Sequence, residues 1–303
     1  MLKAHSVSRN LLVLHATVFV WGFTGILGQL ISISAVHLVW YRVLIAFTTL
    51  FIYFKATKTD IKVTRETFLK LFFTGALVGG HWILFFQSIK LSTVSVALVC
   101  LSSITLFTAT LEPILKKQKI SKLEICTGMA IICGIYLIFK FESRYTAGII
   151  CGLTCALFAS LFSIINSKQV KNRPAPIISF YELIGAWVWI SIYLAATSGF
   201  DSSMSLNTSD LLYLLLLGTV CTSVAYVAGV SVMKELSAYQ VALITNLEPV
   251  YGIILAYIFF AKQEQMTPGF YLGACVVLAA VFLSPYIRTH FEKRRLRKQI
   301  PLG

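Results

Sequence analysis

Residues 91–100 read LSTVSVALVC, and residues 236–245 read LSAYQVALIT. Laid over one another, the two stretches match Leu91-Ser92 with Leu236-Ser237 and Val96-Ala97-Leu98-Val99 with Val241-Ala242-Leu243-Ile244. The register runs without a gap from 91–128 onto 236–273, so that Lys117-Gln118 falls on Lys262-Gln263 and Gly128 on Gly273. Further upstream, Trp40-Tyr41-Arg42-Val43-Leu44-Ile45-Ala46 falls on Phe180-Tyr181-Glu182-Leu183-Ile184-Gly185-Ala186 in a weaker match. The chain therefore reads as two copies of one unit.

The surrounding sequence says what that unit is. With 57% hydrophobic and only 13% charged residues, the chain lies outside the range of soluble domains. Its apolar runs reach the roughly 20 residues that carry a helix across about 30 Å of hydrocarbon. A transmembrane barrel would show short alternating segments instead. Ten spans are predicted, near 11–30, 35–54, 68–88, 92–115, 122–139, 147–166, 176–196, 210–232, 238–260 and 268–287. The expected fold is an all-α integral membrane protein of ten transmembrane helices in two five-helix repeats, 11–140 and 145–287. A cytoplasmic segment, 1–10, precedes them and a basic tail, 288–303, follows. Five is odd, so the second copy enters the membrane from the opposite side and the repeats are inverted, a symmetry that suits alternating access.

The basic residues test this segmentation, because short cytoplasmic loops carry the excess of Lys and Arg. Of the 26, 21 fall on the side of the termini, from Lys3 and Arg9 through Lys116, Lys117, Lys119 and Lys122 to the run Arg294, Arg295, Arg297 and Lys298. Lys90, Lys140, Arg144 and Lys262 fall on the other side, and Arg42 lies within a span. Both termini are thus expected in the cytoplasm, with the chain in the plasma (inner) membrane. The net charge of +14 reads as topological anchoring, with anionic lipid contact at the tail, and no nucleic-acid partner is expected. Lys3 and Arg9 before an apolar run resemble a signal peptide, but the run is full length and reads as the first span.

Other classes find little support. The seven cysteines all fall within apolar runs and behave as small hydrophobes, so neither a disulfide framework nor a metal site is implied. No phosphate-binding Gly-x4-Gly-Lys-Ser/Thr loop, zincin pair or nucleophile elbow occurs in the sequence, and no cofactor is expected. The longest loop, near 197–209, is a Ser-rich stretch with Asp201, too short for a soluble domain. The reading is a secondary transporter of a small solute; the alternatives are an intramembrane enzyme or a non-transporting receptor or assembly protein.

The pattern resembles the EamA family of the drug/metabolite transporter superfamily over nearly the whole chain. The residues that carry the likeness are Trp21-Gly22, Arg42 with Val43-Leu44-Ile45-Ala46, Leu247-Glu248-Pro249, and Glu264 with Met266-Thr267 and Gly273. The first copy departs from it, with Lys119 at the position of Glu264 and Ser103-Ile104 at that of Glu248-Pro249. The resemblance implies transport of amino acids, other metabolites or amphipathic compounds, tilted towards export. It also implies a central cavity lined by the first, third, fourth, sixth, eighth and ninth helices.

Charge inside the membrane costs about 2.5–3.5 kcal/mol per residue even on a permissive scale, so Arg42, Glu182 and Glu248 need a reason to be there. At 1.5 Å per residue, Arg42 lies roughly 10 Å below one boundary, Glu182 roughly 9 Å from the other and Glu248 roughly 15 Å in. A direct Arg42–Glu182 pair is not expected. Arg42 and Glu248 can pair if their helices adjoin; the alternative is that Arg42 caps backbone carbonyls or reaches water. Glu248 is a candidate for solute binding or proton coupling, with structural hydrogen bonding as the alternative. Pro249 frees a carbonyl one turn earlier and, with Gly252, marks a hinge or kink. Polar and small stripes nominate Ser102, Thr245 and Glu248 as cavity residues, or else as close helix packing. Trp21, His81, Trp82 and Tyr226 are candidates for stacking on the solute, or for packing and lipid contact. The spacings Gly148/Gly152 and Gly269/Gly273 suit helix contacts inside the fold or between protomers, so the oligomeric state stays open.

Overall fold

A computed structural model describes residues 2–117 and 122–299, with side chains at 9–117, 123, 125–283 and 287. Lys119 and the whole basic tail, 288–303, placed by the charge pattern at the cytoplasmic face, fall outside the described side chains. The chain is an all-α, multi-span membrane protein. Eight helices among the described residues are long and apolar enough to cross a bilayer, from Arg9–Leu30 to Ala238–Phe260. At the positions of the other two expected spans lie shorter apolar helices, Ile125–Phe141 and Pro268–Leu283.

In chain order the α-helices are α1 (Leu2–Leu30), α2 (Ala35–Thr57), α3 (Arg65–Leu91), α4 (Val94–Leu101), α5 (Ile104–Leu115), α6 (Lys122–Phe141), α7 (Thr146–Gln169), α8 (Ala175–Ala196), α9 (Thr208–Gly218), α10 (Ala225–Val232), α11 (Ala238–Thr245), α12 (Leu247–Phe260) and α13 (Pro268–Gln299). Three spans expected to be continuous are interrupted. The fourth breaks at Ser102-Ser103 between α4 and α5, and the ninth at Asn246 between α11 and α12. The eighth passes through a π-helical stretch, Thr219–Val224, between α9 and α10. Proline explains part of one break: Pro249 sits in the first turn of α12, where its missing N–H would have had no helical partner anyway. The kink expected near Pro249 is thus a full interruption three residues earlier.

Glycine sets the closest helix approaches. Gly134 of α6 and Gly273 of α13 face one another; a Cβ on Gly273 would stand 2.7 Å from the Gly134 carbonyl oxygen. Where α3 meets α8, Gly75 faces the Glu182 carbonyl and Gly185 faces the Phe72 backbone. Gly148 and Gly152 press on Ser92, Ser88 and Cys100, and Gly269 on Phe141. These small-residue faces are therefore used within the chain.

The two breaks touch. The Asn246 amide donates to the Thr105 hydroxyl at 2.5 Å and to the Ala242 carbonyl at 2.6 Å. An interrupted helix leaves backbone groups without ladder partners in a setting that lacks water, so they must be met by side chains or by a cavity. Residues on either side of the two breaks, Leu101, Ile104, Thr245 and Glu248, line one.

Candidate functional site

The cavity lies where α1, α3, α7 and α10 meet the two broken helices, and α2 adds one residue, Arg42. Its walls are aromatic. Trp82 packs edge-on to Tyr226 at 5.5 Å between ring centroids, and Phe162 stands against both Tyr226 and His81. Trp21 closes the side formed by α1, its ring lying over Gly229 of α10.

Arg42 is 2% exposed. Its Nε donates to Thr222 Oγ1 at 2.6 Å, and the guanidinium carbon lies 4.2 Å above the Trp82 ring and 5.4 Å from Phe86. A guanidinium stacked in this way gains on the order of 2 kcal/mol when desolvated. Thr222 can accept because the π-helical stretch sends its own hydroxyl proton five residues back, to the Leu217 carbonyl at 2.6 Å. Among the described residues Arg42 makes neither a hydrogen bond to a backbone carbonyl nor an ion pair. The ion pairs among the described residues are Lys70–Glu66, Lys116–Glu112 and Arg144–Glu142.

Glu248 lines the cavity in the first turn of α12 and is 5% exposed. Among the described residues its carboxyl has no hydrogen-bond or ion-pair partner, although it is close enough to Arg42 for each to feel the other's charge. The remaining polar groups are mostly acceptors. The hydroxyls of Thr24 and Thr245 donate to their own helix, to Trp21 and Val241 carbonyls, which leaves their lone pairs available. His81 Nδ1 lies 3.0 Å from the Cys155 carbonyl; with the proton on that nitrogen, Nε2 is the acceptor.

Glu182 stands behind the wall. It is fully buried, and its Oε2 accepts from Tyr226 Oη at 2.8 Å and from Asn166 Nδ2 at 3.1 Å. Among the described residues it makes no ion pair with Arg42. Its contact with Tyr226 holds one aromatic wall in place.

Of the residues nominated from sequence, the cavity brings together Trp21, His81, Trp82, Tyr226, Thr245 and Glu248, with Arg42. It does not include Ser102, Pro249 or Gly252. Ser102 sits in the α4–α5 break with its hydroxyl on the Leu98 carbonyl at 3.3 Å, and its neighbours Leu101 and Ile104 face the cavity instead. Gly252 packs against Leu98 and Gly22. Sequence reasoning missed Thr24, Phe162 and Thr222 as parts of the site. Thr222 lies within the expected eighth span, but a π-helical stretch has no sequence signal that would aim it at Arg42.

The arrangement offers one guanidinium and one unpartnered carboxyl, with acceptor-rich polar groups between aromatic walls. That suits a small amphipathic molecule carrying opposite charges. The model of the EamA-like transporter family matches the chain twice, at residues 9–140 and 146–285. An uncharacterized transporter of Archaeoglobus fulgidus is 23% identical over 91% of this chain and 97% of its own length. Uncharacterized transporters of Clostridium kluyveri and of Synechocystis (sll1164) are 23% and 29% identical, over 64% and 43% of this chain. Those two matches span only 61% and 37% of the relatives' own lengths. One crystal structure superposes with a TM-score of 0.67 at 13% identity, covering 91% of this chain and 98% of that one, a likeness of fold.

Proposed function

Because the chain belongs to the EamA-like transporter family, a family of transporters and not of enzymes, we propose that it is a secondary transporter of a small amphipathic, amino-acid-like metabolite. The two copies, 11–140 and 145–287, form inverted five-helix repeats with both termini in the cytoplasm, in the plasma membrane. The cavity between them is reached from one face at a time, and the family resemblance favours export.

The observation that carries this reading is a buried guanidinium and a buried carboxyl that are not paired with each other. Arg42 and Glu248 border one cavity without meeting, and two buried charges of opposite sign in a purely structural role would gain by pairing. A zwitterionic solute meets both, its carboxylate on the guanidinium and its ammonium on Glu248, with Thr245 and Thr24 as further acceptors. Its apolar part lies against Trp82, Phe162 and Tyr226. Glu182 serves the site from behind by holding Tyr226.

The test is flux into proteoliposomes from a defined metabolite mixture, read by mass spectrometry. Zwitterionic solutes with apolar side chains are expected to move with the wild type and to fall at least about tenfold with Glu248→Gln, as befits loss of a charge-assisted contact. Transport confined to solutes of a single charge would overturn the assignment, as would Glu248→Gln moving the same solutes at the wild-type rate.

A further inference from the structure

The N-termini of α4 and α11 hold corresponding places in the two repeats, Val94 and Ser95 falling on Tyr239 and Gln240. Each is met by a carboxylate from the other half. Glu264, 4% exposed, accepts from Val94 N through Oε1 and from Ser95 N through Oε2, both at 3.0 Å. Glu112, 7% exposed, accepts from Tyr239 N through Oε2 at 3.1 Å, while its Oε1 takes Lys116 Nζ at 2.6 Å.

Neither helix depends on these contacts for local capping. Thr93 already caps α4 by accepting from Val96 N at 3.2 Å, and Ser237 caps α11 in a reciprocal box with Gln240. A second, charged cap adds a favourable carboxylate at the positive end of the helix, but what it gains beyond that is a tie between halves. The two ties do not come from one ancestral residue. The register partner of Glu264 is Lys119, outside the described residues, and that of Glu112 is Tyr257. The two glutamates therefore stand at non-equivalent positions of the repeat.

The tied segments border the cavity. Beyond α4 and α11 lie the breaks at Ser102-Ser103 and Asn246, about which each short helix can swing. Leu101 of α4 and Val241, Ala242 and Thr245 of α11 line the cavity. The loop that carries Glu264 is also held at its far end, where Thr267 N donates to Glu142 Oε1 at 2.7 Å. Resting on the inverted-repeat transporter reading, which puts the two ties at opposite membrane faces, we propose that Glu264 and Glu112 are latches that close the cavity, one at each face, and release in alternation.

The test uses the full chain with Thr245→Cys in proteoliposomes, labelled from either face with a membrane-impermeant thiosulfonate and read by mass at residue 245. Adding Glu264→Gln is expected to raise labelling about fivefold from the face that bears the loop 261–267, the factor by which a lost helix cap moves a two-state balance. Glu112→Gln is expected to raise it from the opposite face. Should either glutamine variant be poorly produced, the aspartate variant, which keeps the charge but shortens the reach, replaces it with the same predicted direction. Both variants acting on the same face, or neither acting, would overturn the latches. If that happens while zwitterion flux persists in the wild type, only the latches fall; absence of flux together with absence of labelling from both faces would remove the transport reading as well.

Discussion

Replacing Thr222 with valine isolates what holds Arg42. Valine keeps the shape of threonine within the π-helical stretch but removes the oxygen that accepts from Arg42 Nε at 2.6 Å and donates to the Leu217 carbonyl at 2.6 Å. Neutral hydrogen bonds between transmembrane helices average only about 0.6 kcal/mol, because the unfolded chain in the membrane also finds partners. A bond from a charged donor contributes about 1.5–3 kcal/mol, and a buried guanidinium deprived of its acceptor loses that share in full. Thr222→Val should therefore cost about 2–4 kcal/mol, whereas Thr222→Ser, which retains the hydroxyl, should stay within about 1 kcal/mol of the wild type. Equilibrium unfolding in mixed detergent micelles reads both differences. A second readout separates position from stability: freed from Thr222, Arg42 can reach Glu248, so Thr222→Val should also lower zwitterion uptake at solute concentrations that saturate the wild type. If valine and serine variants unfold alike, Arg42 is satisfied by something other than Thr222, and the account of the π-helical stretch fails.

Two further outcomes follow from the same geometry. Tyr226→Phe deletes the hydroxyl that donates to Glu182 Oε2. It should cost about 1–3 kcal/mol in the same unfolding assay, with the loss shrinking by at least about 0.5 kcal/mol when Glu182→Gln is already present, as coupled neighbours require; full additivity would mean that the two residues do not act together. Gly273→Val places a branched side chain against the Gly134 carbonyl, 2.7 Å from the position of its Cβ, and overpacking of this kind should cost about 1–3 kcal/mol, so an unchanged unfolding midpoint would show that α6 and α13 do not pack through these glycines.

What could be read from the sequence was whatever depends on composition and register. The spans follow from hydropathy, and the correspondence of 91–128 with 236–273 follows from identities along the chain. The breaks were not legible. Ser102, Ser103 and Asn246 are ordinary helix residues by propensity, and what stops the helix at Asn246 is an amide held by Thr105 from a different helix. The same limit explains Ser102, whose spacing could not distinguish a cavity wall from a helix end. Arg42 and Thr222 stand 180 positions apart, and no local pattern could announce their bond. Glu264 was visible as a family-like residue, but its role depends on two backbone N–H groups that carry no side-chain signature.

The duplication bears on the chemistry through its exceptions. At register-equivalent positions the first copy has Arg42 where the second has Glu182, and Ser103 where the second has Glu248. The cation of the cavity thus comes from one half and its unpartnered carboxyl from the other. A bundle under selection for stability alone would pair these charges or remove them, since each costs several kcal/mol in isolation. This one instead holds Arg42 on Thr222 and Trp82 and leaves Glu248 open. Because the two charges sit on different halves, any relative movement of the halves changes the distance between them, and so changes how well a single bound molecule can touch both. Under the proposed transport cycle, a solute that spans them would for that reason differ in affinity between the conformations, which is the condition under which binding can shift a conformational equilibrium at all.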